Sequence, residues 1–221
     1  ENLTMKNPNM RILTYLLAAA SLLLAAVLYP KLPAQIPTHW DLDGTVTYGG
    51  RHMIFLTAGT GLPMALLFDI LPKIDPRRQN YQKFGSYYDA FCVLIQLFML
   101  VMNAVTITEA LRPGTLSVPM VVMLGIGLLF LFIGNIMPKF KSNFYMGIKT
   151  PWTISSEEVW RKTHRLGGKC FFLAGLVSIF CAFVPIANPV IFGIYLAAIL
   201  IACLIPGIMS YIWWRQEQNR Q

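Results

Sequence analysis

The sequence predicts an all-α protein that crosses a membrane six times. Of its 221 residues, 56% are hydrophobic and 13% are charged, a composition that is too apolar for a soluble domain of this size. Six apolar stretches are also long enough to span the hydrocarbon core of a bilayer, which takes about 20 helical residues. We therefore expect a polytopic membrane protein built from six transmembrane helices.

The six spans are expected in the order in which the apolar stretches occur. The first stretch could instead be a secretory signal peptide, but Tyr29 to Pro33 lack the small residues of a cleavage site, so we expect a retained anchor. Residues 1–4 precede a plausible start at Met5. The predicted spans are residues 12–29, 53–71, 88–108, 118–137, 171–186 and 190–213.

Basic residues predict the orientation of these spans. Fifteen lysine and arginine residues fall in the termini and in the loops on the same side of the membrane, whereas three fall on the other side. By the positive-inside rule, both termini are cytoplasmic. The net charge of +8 is then explained by topology and anionic lipid, and we expect no direct contact with nucleic acid. The fifteen are Lys6, Arg11, Lys73, Arg77, Arg78, Lys83, Lys139, Lys141, Lys149, Arg161, Lys162, Arg165, Lys169, Arg215 and Arg220, and the three are Lys31, Arg51 and Arg112.

The four cysteines of the chain are predicted to be packing residues. The cysteines lie in or beside predicted spans and form no CxxC pair, which indicates packing residues and neither a disulfide framework nor a metal site. They are Cys92, Cys170, Cys181 and Cys203.

The predicted spans divide the chain into four regions. The regions are a cytoplasmic tail at 1–10, two spans at 11–72 with an extracytoplasmic loop at 30–52, the third span and its flanking loops at 73–117, and three spans at 118–221 with a cytoplasmic amphipathic segment at 138–169.

The polar stretch at residues 146–169 carries an organised pattern. Ser155 and Glu158 have the spacing of a capping box, which predicts a helix that begins at Ser156. Pro151 favours an extended chain before that helix. Two interpretations stay open, an amphipathic connector in the membrane interface and a docking surface for a cytoplasmic protein. In the helix, Trp160, Thr163, His164 and Gly167 share one face, and Arg161, Lys162, Arg165 and Lys169 lie largely on another.

The predicted extracytoplasmic loop contains many turn residues. Prolines and glycines recur along residues 32–52, which leaves room for at most a short strand at Thr45 to Tyr48. Histidines and aspartates here could bind a metal ion, but their spacing is a weak signal and we expect no metal. A ligand-facing role is favoured, because loops on a rigid scaffold often carry function. The candidate contact residues are His39, Trp40, Asp41, Asp43, Tyr48 and His52.

Few polar residues fall inside the predicted spans. Asp69 lies near the end of the second span and is expected to pair with Lys73, one turn further on. Gln96 and Asn103 lie deep in the third span, where such side chains usually hold helices together. The chain carries no recognisable catalytic motif, so the sequence favours a protein that is not an enzyme and uses no cofactor.

Two motifs resemble those of a known family. One runs from Gly134 and Asn135 through Asn143 to Arg165, and the other is Ile36 to Trp40 with Gly44. The first resembles the signature of the Sdp immunity family, and the second resembles the domain of unknown function that commonly opens such chains. The resemblance covers residues 11–213. Lys149 stands where the family has arginine, so a bidentate contact made there would be weakened.

The resemblance implies a multi-pass protein of the bacterial cell membrane that protects against a secreted apolar toxin peptide. It also implies possible capture of a cytoplasmic repressor when toxin is present. The alternative is a small membrane transporter or a metal-dependent membrane enzyme unrelated to immunity. The motif and docking residues that follow from the resemblance are Asn135, Asn143, Gly147, Lys149, Thr150, Pro151, Trp152, Thr153, Trp160, Arg161, Thr163, His164 and Arg165.

Overall fold

The protein is a bundle of membrane-spanning helices with a small β-hairpin at one end. The computed structural model describes residues 7–41, 45–184 and 189–220. Within those ranges, six helical segments are long and apolar enough to cross a membrane. The sequence-based prediction of an all-α polytopic membrane protein with six spans is therefore confirmed.

Five of the six spans extend beyond the apolar stretches that predicted them, because helices continue into the polar residues at their ends. The fifth begins earlier than predicted, at Glu157, and ends at Ala182, before the predicted end at residue 186. The second span consists of two consecutive helices that meet at Thr60. The helices are α1 (Pro8–Leu28), α2 (Ile54–Gly59), α3 (Gly61–Ile74), α4 (Tyr81–Leu111), α5 (Val118–Ile136), α6 (Pro151–Ser155), α7 (Glu157–Ala182) and α8 (Pro189–Gln218).

The spans pack as two groups. In the first half of the chain, α1 packs on α4 and on the helices of the second span, whereas in the second half α7 packs on both α5 and α8. Direct contact between the groups runs mainly from α4 to α5 and is less extensive than the packing inside each group. An apolar cavity of about 260 Å³ also lies between α4 and α5, where Phe98 and Leu128 are among the lining residues.

Two pairs of glycines bring the backbones of α5 and α7 together. A Cβ atom on Gly168 would lie 2.7 Å from the carbonyl oxygen of Gly134, and one on Gly175 would lie 2.7 Å from the carbonyl oxygen of Gly127. Neither Gly168 nor Gly175 could therefore be replaced by a larger residue without moving one of the helices. Small residues allow such close approach in membranes, where van der Waals packing helps to hold helices together.

The loop between the first two spans contains more β-structure than the sequence indicated. Strands β1 (Gln35–Trp40) and β2 (Val46–Gly50) pair antiparallel, with a register irregularity between Pro37 and His39. The expectation of at most one short strand was wrong, because pairing with β2 stabilises a proline-containing segment that reads locally as turns. Ile36 is fully buried and anchors the hairpin on a core that includes Ala25, Ile54 and Ile107.

Buried polar side chains cross-link the first group of helices. Asp69 accepts hydrogen bonds from Arg11 and from the Tyr15 hydroxyl, each at 2.8 Å, so the predicted pairing with Lys73 was wrong. The amide of Asn103 donates to the carbonyl oxygen of Ser21 at 3.0 Å. The amide of Gln96 donates to the carbonyl oxygen of Gly61 at 2.8 Å. The expectation that these two amides join helices is confirmed.

The predicted interfacial connector and the predicted fifth span form one helix. Helix α7 runs without interruption from Glu157 to Ala182. Its N-cap is Ser156, whose hydroxyl accepts a hydrogen bond from the Val159 N–H at 3.2 Å. The predicted capping box at Ser155 was therefore wrong by one residue, because Ser155 instead ends α6.

Candidate functional site

The order of the helices defines two ends of the bundle. Successive spans run in opposite directions, so the start of α1, the end of α5, the start of α7 and the end of α8 share one end. We call this the basic end, because the loops and termini there carry most of the arginine and lysine residues. The β-hairpin lies at the opposite end, which we call the hairpin end.

A groove opens at the hairpin end between the two groups of helices. It has a volume of about 350 Å³ and is bounded by β1 and by helices α4, α5 and α8. Its helical wall is almost entirely apolar, whereas the β1 side offers polar groups. The lining residues are Thr38, His39, Trp40, Asp41, Met102, Val118, Pro119, Val122, Met123, Phe192 and Tyr195.

The polar side of this groove is organised by Asp41. One carboxylate oxygen lies 3.2 Å from Nε2 of His39, and the other accepts a hydrogen bond from the Thr45 hydroxyl at 3.3 Å. Both His39 and Asp41 are exposed, whereas Trp40 is half-buried. An exposed contact of this kind contributes little stability, so these groups stay available for a ligand.

The structure brings together three of the six predicted contact residues. His39, Trp40 and Asp41 line the groove. Tyr48 and His52 are exposed but do not line it. Asp43 lies outside the described residues. Among the residues that the structure describes, no group of three or more His, Cys, Asp or Glu side chains could hold a metal ion.

At the basic end, His164 fixes the loop that precedes α6. Nδ1 lies 2.8 Å from the carbonyl oxygen of Trp160, and Nε2 lies 3.0 Å from the Ile148 N–H. A carbonyl only accepts and an N–H only donates, so Nδ1 carries the proton and the ring is neutral. The imidazole is 1% exposed, and its hydrogen bonds fix residue 148 against α7.

Gly147 is required for this contact. Its φ angle is +102°, a conformation that residues other than glycine rarely adopt. A Cβ at residue 147 would also collide with Nε2 of His164. The glycine of the family-like motif therefore has a direct steric explanation.

Trp160 is a core residue of the basic end. Its side chain is 2% exposed, and its indole Nε1–H donates to the carbonyl oxygen of Phe140 at 2.9 Å. The ring also stacks on His164 with a centroid distance of 4.0 Å. In this structure Trp160 therefore holds the loop after α5 against α7 and presents no contact surface to solvent.

Helix α6 is defined by a threonine pair that the sequence analysis did not identify as a cap. The Thr150 hydroxyl accepts from the Thr153 N–H at 3.1 Å, and the Thr153 hydroxyl accepts from the Thr150 N–H at 2.8 Å. Pro151 occupies the first turn of this short helix, so its predicted extended conformation was wrong. The Thr150 hydroxyl also lies 2.9 Å from the Ser210 hydroxyl, which connects α6 to α8.

Asn143 stabilises the loop between α5 and α6 from inside. Its side-chain oxygen accepts from the Tyr145 N–H at 2.9 Å, and its amide donates to the carbonyl oxygens of Lys141 and Met146 at 2.9 and 3.0 Å. The side chain is fully buried. It therefore replaces the backbone pairing that this irregular segment lacks.

The loop between the second and third spans binds this same segment, which sequence reasoning missed. Buried Asp75 accepts from the Phe144 N–H at 2.9 Å and from the Tyr81 hydroxyl at 3.0 Å. Asn80 donates to the carbonyl oxygen of Ser142 at 2.7 Å, and Arg77 donates to the carbonyl oxygen of Ile154 at 2.8 Å. We call Asp75, Arg77 and Asn80 the clamp. It joins the first group of helices to the second at the basic end.

Several motif residues remain outside this buried network. Lys149, Pro151, Arg161, Arg165 and Asn135 are exposed. Trp152 is half-buried against Tyr211, with a centroid distance of 5.0 Å, whereas Thr163 is fully buried. The predicted motif therefore divides into an inner set that shapes the basic end and an outer set that faces its surroundings.

Comparison with known proteins finds two partial family matches and one similar curated protein. Residues 139–210 match the model of the SdpI/YfhL protein family, and residues 16–61 match the domain of unknown function DUF1648. Over 206 residues the chain is 23% identical to the immunity protein SdpI of Bacillus subtilis strain 168, covering 93% of this chain and 96% of the relative. No solved structure gives a significant match. The first match contains the buried residues Asn143, Trp160 and His164, and the second contains β1 and β2, so the chain resembles the SdpI/YfhL protein family in its second half and DUF1648 in its first half.

Proposed function

We propose that this membrane protein confers immunity to a secreted apolar toxin peptide, which it binds in the groove at the hairpin end. The observation that carries the proposal is the composition of that groove, in which apolar side chains of three helices face the polar edge of β1. The similarity to a curated immunity protein over nearly the whole chain supports the same function.

The groove has the chemistry that an amphipathic peptide segment needs. Its volume of about 350 Å³ lies near the lower end of the range for ligand sites, about 300–1,000 Å³. It therefore suits a few side chains of a peptide, not a whole folded toxin. Met102, Val122 and Phe192 would bury the apolar side chains, while His39 and Asp41 would hydrogen-bond to the peptide backbone.

Peptide binding in the groove could change the structure at the other end of the molecule, because the groove walls come from both groups of helices. Met102 belongs to the first group of helices, whereas Val122 and Phe192 belong to the second. A peptide in the groove would favour one relative position of the two groups, provided that it binds that position more tightly than others. The clamp joins the same two groups at the basic end, so it would be displaced or strained by that change.

A signalling role follows as the finer part of this proposal. With the basic end in the cytoplasm, the exposed motif residues Lys149, Pro151 and Arg161 would form the surface that captures a cytoplasmic repressor. Buried Trp160 and His164 would hold that surface in shape. The repressor would then bind according to the state of the clamp, not through contact with the toxin.

Survival of toxin-sensitive bacteria expressing this protein tests the immunity function. Cells are exposed to a sporulation-delaying-type peptide, and wild type is compared with His39→Ala/Trp40→Ala at matched membrane levels. Tyr48→Ala is the matched control, because Tyr48 is an exposed aromatic residue of the same hairpin that does not line the groove. We expect protection by wild type and Tyr48→Ala, and loss of protection in the groove variant.

The same peptide tests the coupling to the basic end. Hydrogen exchange of the loop at residues 141–149 is measured in the purified protein with and without the peptide. We expect faster exchange on binding in wild type and no change in His39→Ala/Trp40→Ala. Absence of protection by wild type would overturn the immunity proposal, whereas protection without a change in exchange would overturn only the coupling.

A further inference from the structure

A second cavity lies at the basic end, on the outside of the contact between α5 and α7. It has a volume of about 480 Å³. Gly134 and Gly168, which bring the two backbones together, lie at its base. The remaining lining residues are Asn135, Pro138, Arg165, Lys169, Phe172 and Leu173.

The mouth of this cavity is positively charged. Arg165 and Lys169 are one helical turn apart on α7, so their side chains project on the same face. Both are exposed, and Asn135 is exposed on the opposite side of the cavity. None of the lining residues is acidic. The neighbouring cation Lys162 differs, because its ammonium lies 2.6 Å from the carboxylate of Glu158.

The wall of the cavity changes from polar to apolar along α7. Phe172 and Leu173 are exposed on the surface of the span, on the side of the cavity away from Arg165. From residue 165 to residue 173 a helix rises about 12 Å. This is the order of groups that a phospholipid presents, from a phosphate to the first part of an acyl chain.

We propose that this cavity binds one anionic phospholipid of the phosphatidylglycerol class. The phosphate lies between Arg165 and Lys169, and the Asn135 amide donates to one of its oxygens. The upper part of an acyl chain packs on Phe172 and Leu173. Basic pockets between helices near the membrane surface suit such headgroups, since the charge of the lipid is neutralised where the dielectric is low.

This inference assigns a role to two exposed motif residues, Asn135 and Arg165, that the buried network does not use. It is independent of the immunity proposal, because the groove lies at the other end of the bundle. A lipid that bridges α5 and α7 would stabilise the second group of helices. We therefore expect specific lipid retention whether or not a toxin is present.

The test is native mass spectrometry of the full chain, released from membranes that contain equal amounts of phosphatidylglycerol and phosphatidylcholine. The retained ratio of the two lipids is compared among wild type, Arg165→Gln/Lys169→Gln and a control, Lys141→Gln/Arg161→Gln. The control removes two exposed cations at the same end that do not line the cavity. A surface cation contributes roughly fivefold to binding of anionic lipid, so we expect the preference to fall about 25-fold in the cavity variant.

The control variant should keep the preference of wild type. Equal loss in both variants would assign the preference to general surface charge and overturn the site, and so would the absence of a preference in wild type. A third arm adds inorganic phosphate as a competitor. Displacement of the lipid by millimolar phosphate would show that the cavity is an anion site without specificity for lipid, and would also overturn the proposal.

Discussion

Gly147 and His164 occupy complementary space, since the position that a Cβ of residue 147 would take is filled by Nε2 of the histidine. The same nitrogen accepts the hydrogen bond of the next residue, Ile148. The backbone turn and the imidazole therefore depend on each other. Neither residue shows this relationship in the sequence, where they are separated by all of α6 and the first turns of α7.

Substitution of Gly147 by alanine is expected to destabilise the protein. A residue held at an unfavourable positive φ angle costs about 1–3 kcal/mol, and the collision with His164 adds to this. Thermal unfolding of the purified protein, followed by size-exclusion chromatography, measures the loss. Gly114→Ala is the control, because Gly114 has a φ angle of +78° and no neighbouring atom within 4 Å of the added Cβ. Equal effects of the two substitutions would contradict the role of His164.

Replacement of His164 by phenylalanine is expected to lower stability while keeping an aromatic ring beside Trp160. The variant leaves the Ile148 N–H without its buried acceptor, at a cost of about 1–3 kcal/mol, whereas the Trp160 carbonyl keeps its backbone donor within α7. The free energy of unfolding in denaturant measures the change. Arg161→Gln, an exposed substitution on the same helix, should change stability by less than about 0.5 kcal/mol. A His164→Phe variant as stable as wild type would show that these hydrogen bonds contribute nothing.

Removal of the Asp75 carboxylate is expected to release the loop between α5 and α6. In Asp75→Ala, the Phe144 N–H and the Tyr81 hydroxyl lose an acceptor that is buried inside the clamp. Trypsin should then cleave faster at Lys141 and Lys149, which flank the freed loop. Tyr81→Phe removes one donor and keeps the carboxylate, so its cleavage rate should lie between those of wild type and Asp75→Ala. Unchanged cleavage in Asp75→Ala would argue against the clamp.

A valine at Gly168 is expected to separate α5 from α7. The added side chain would meet the carbonyl oxygen of Gly134 and the ring of Pro138, within 3.0 Å of each. Overpacking of this kind costs about 1–3 kcal/mol, and thermal unfolding measures it. At Gly193 an added Cβ has no neighbour within 4 Å, so Gly193→Val should leave the unfolding temperature close to that of wild type.

Local patterns predicted the spans of this protein but not its long-range contacts. A membrane helix is encoded by consecutive apolar residues, so the spans that contain Leu22, Phe98 and Leu128 can be found in the sequence directly. The contact between Arg11 and Asp69 joins residues far apart in the chain. No local spacing favours it over the expected pair of Asp69 with Lys73, and burial of Asp69 against α1 decided the outcome.

The candidate sites were predicted to different extents, because the sequence reveals local patterns but not contacts between distant residues. The exposed residues His39, Trp40 and Asp41 were identified because they stand out in a turn-rich loop. Their helical partners in the groove, such as Met102 and Phe192, look like ordinary lipid-facing residues in the sequence. Asp75 was missed because an aspartate before a proline is typical of a simple turn, and its partner Phe144 lies more than sixty residues away.

The clamp and the groove stand at opposite ends of the same pair of helix groups, which gives the molecule the geometry of a lever. Helix α5 has 19 residues, so at 1.5 Å per residue it is about 28 Å long. Hydrogen bonds hold the basic end together, and an apolar cavity interrupts the contact between α4 and α5. A relative motion of the two groups would therefore have its fulcrum at the clamp. A tilt of about 5° there would move the groove wall by about 2.5 Å over that length, enough to admit or exclude a side chain.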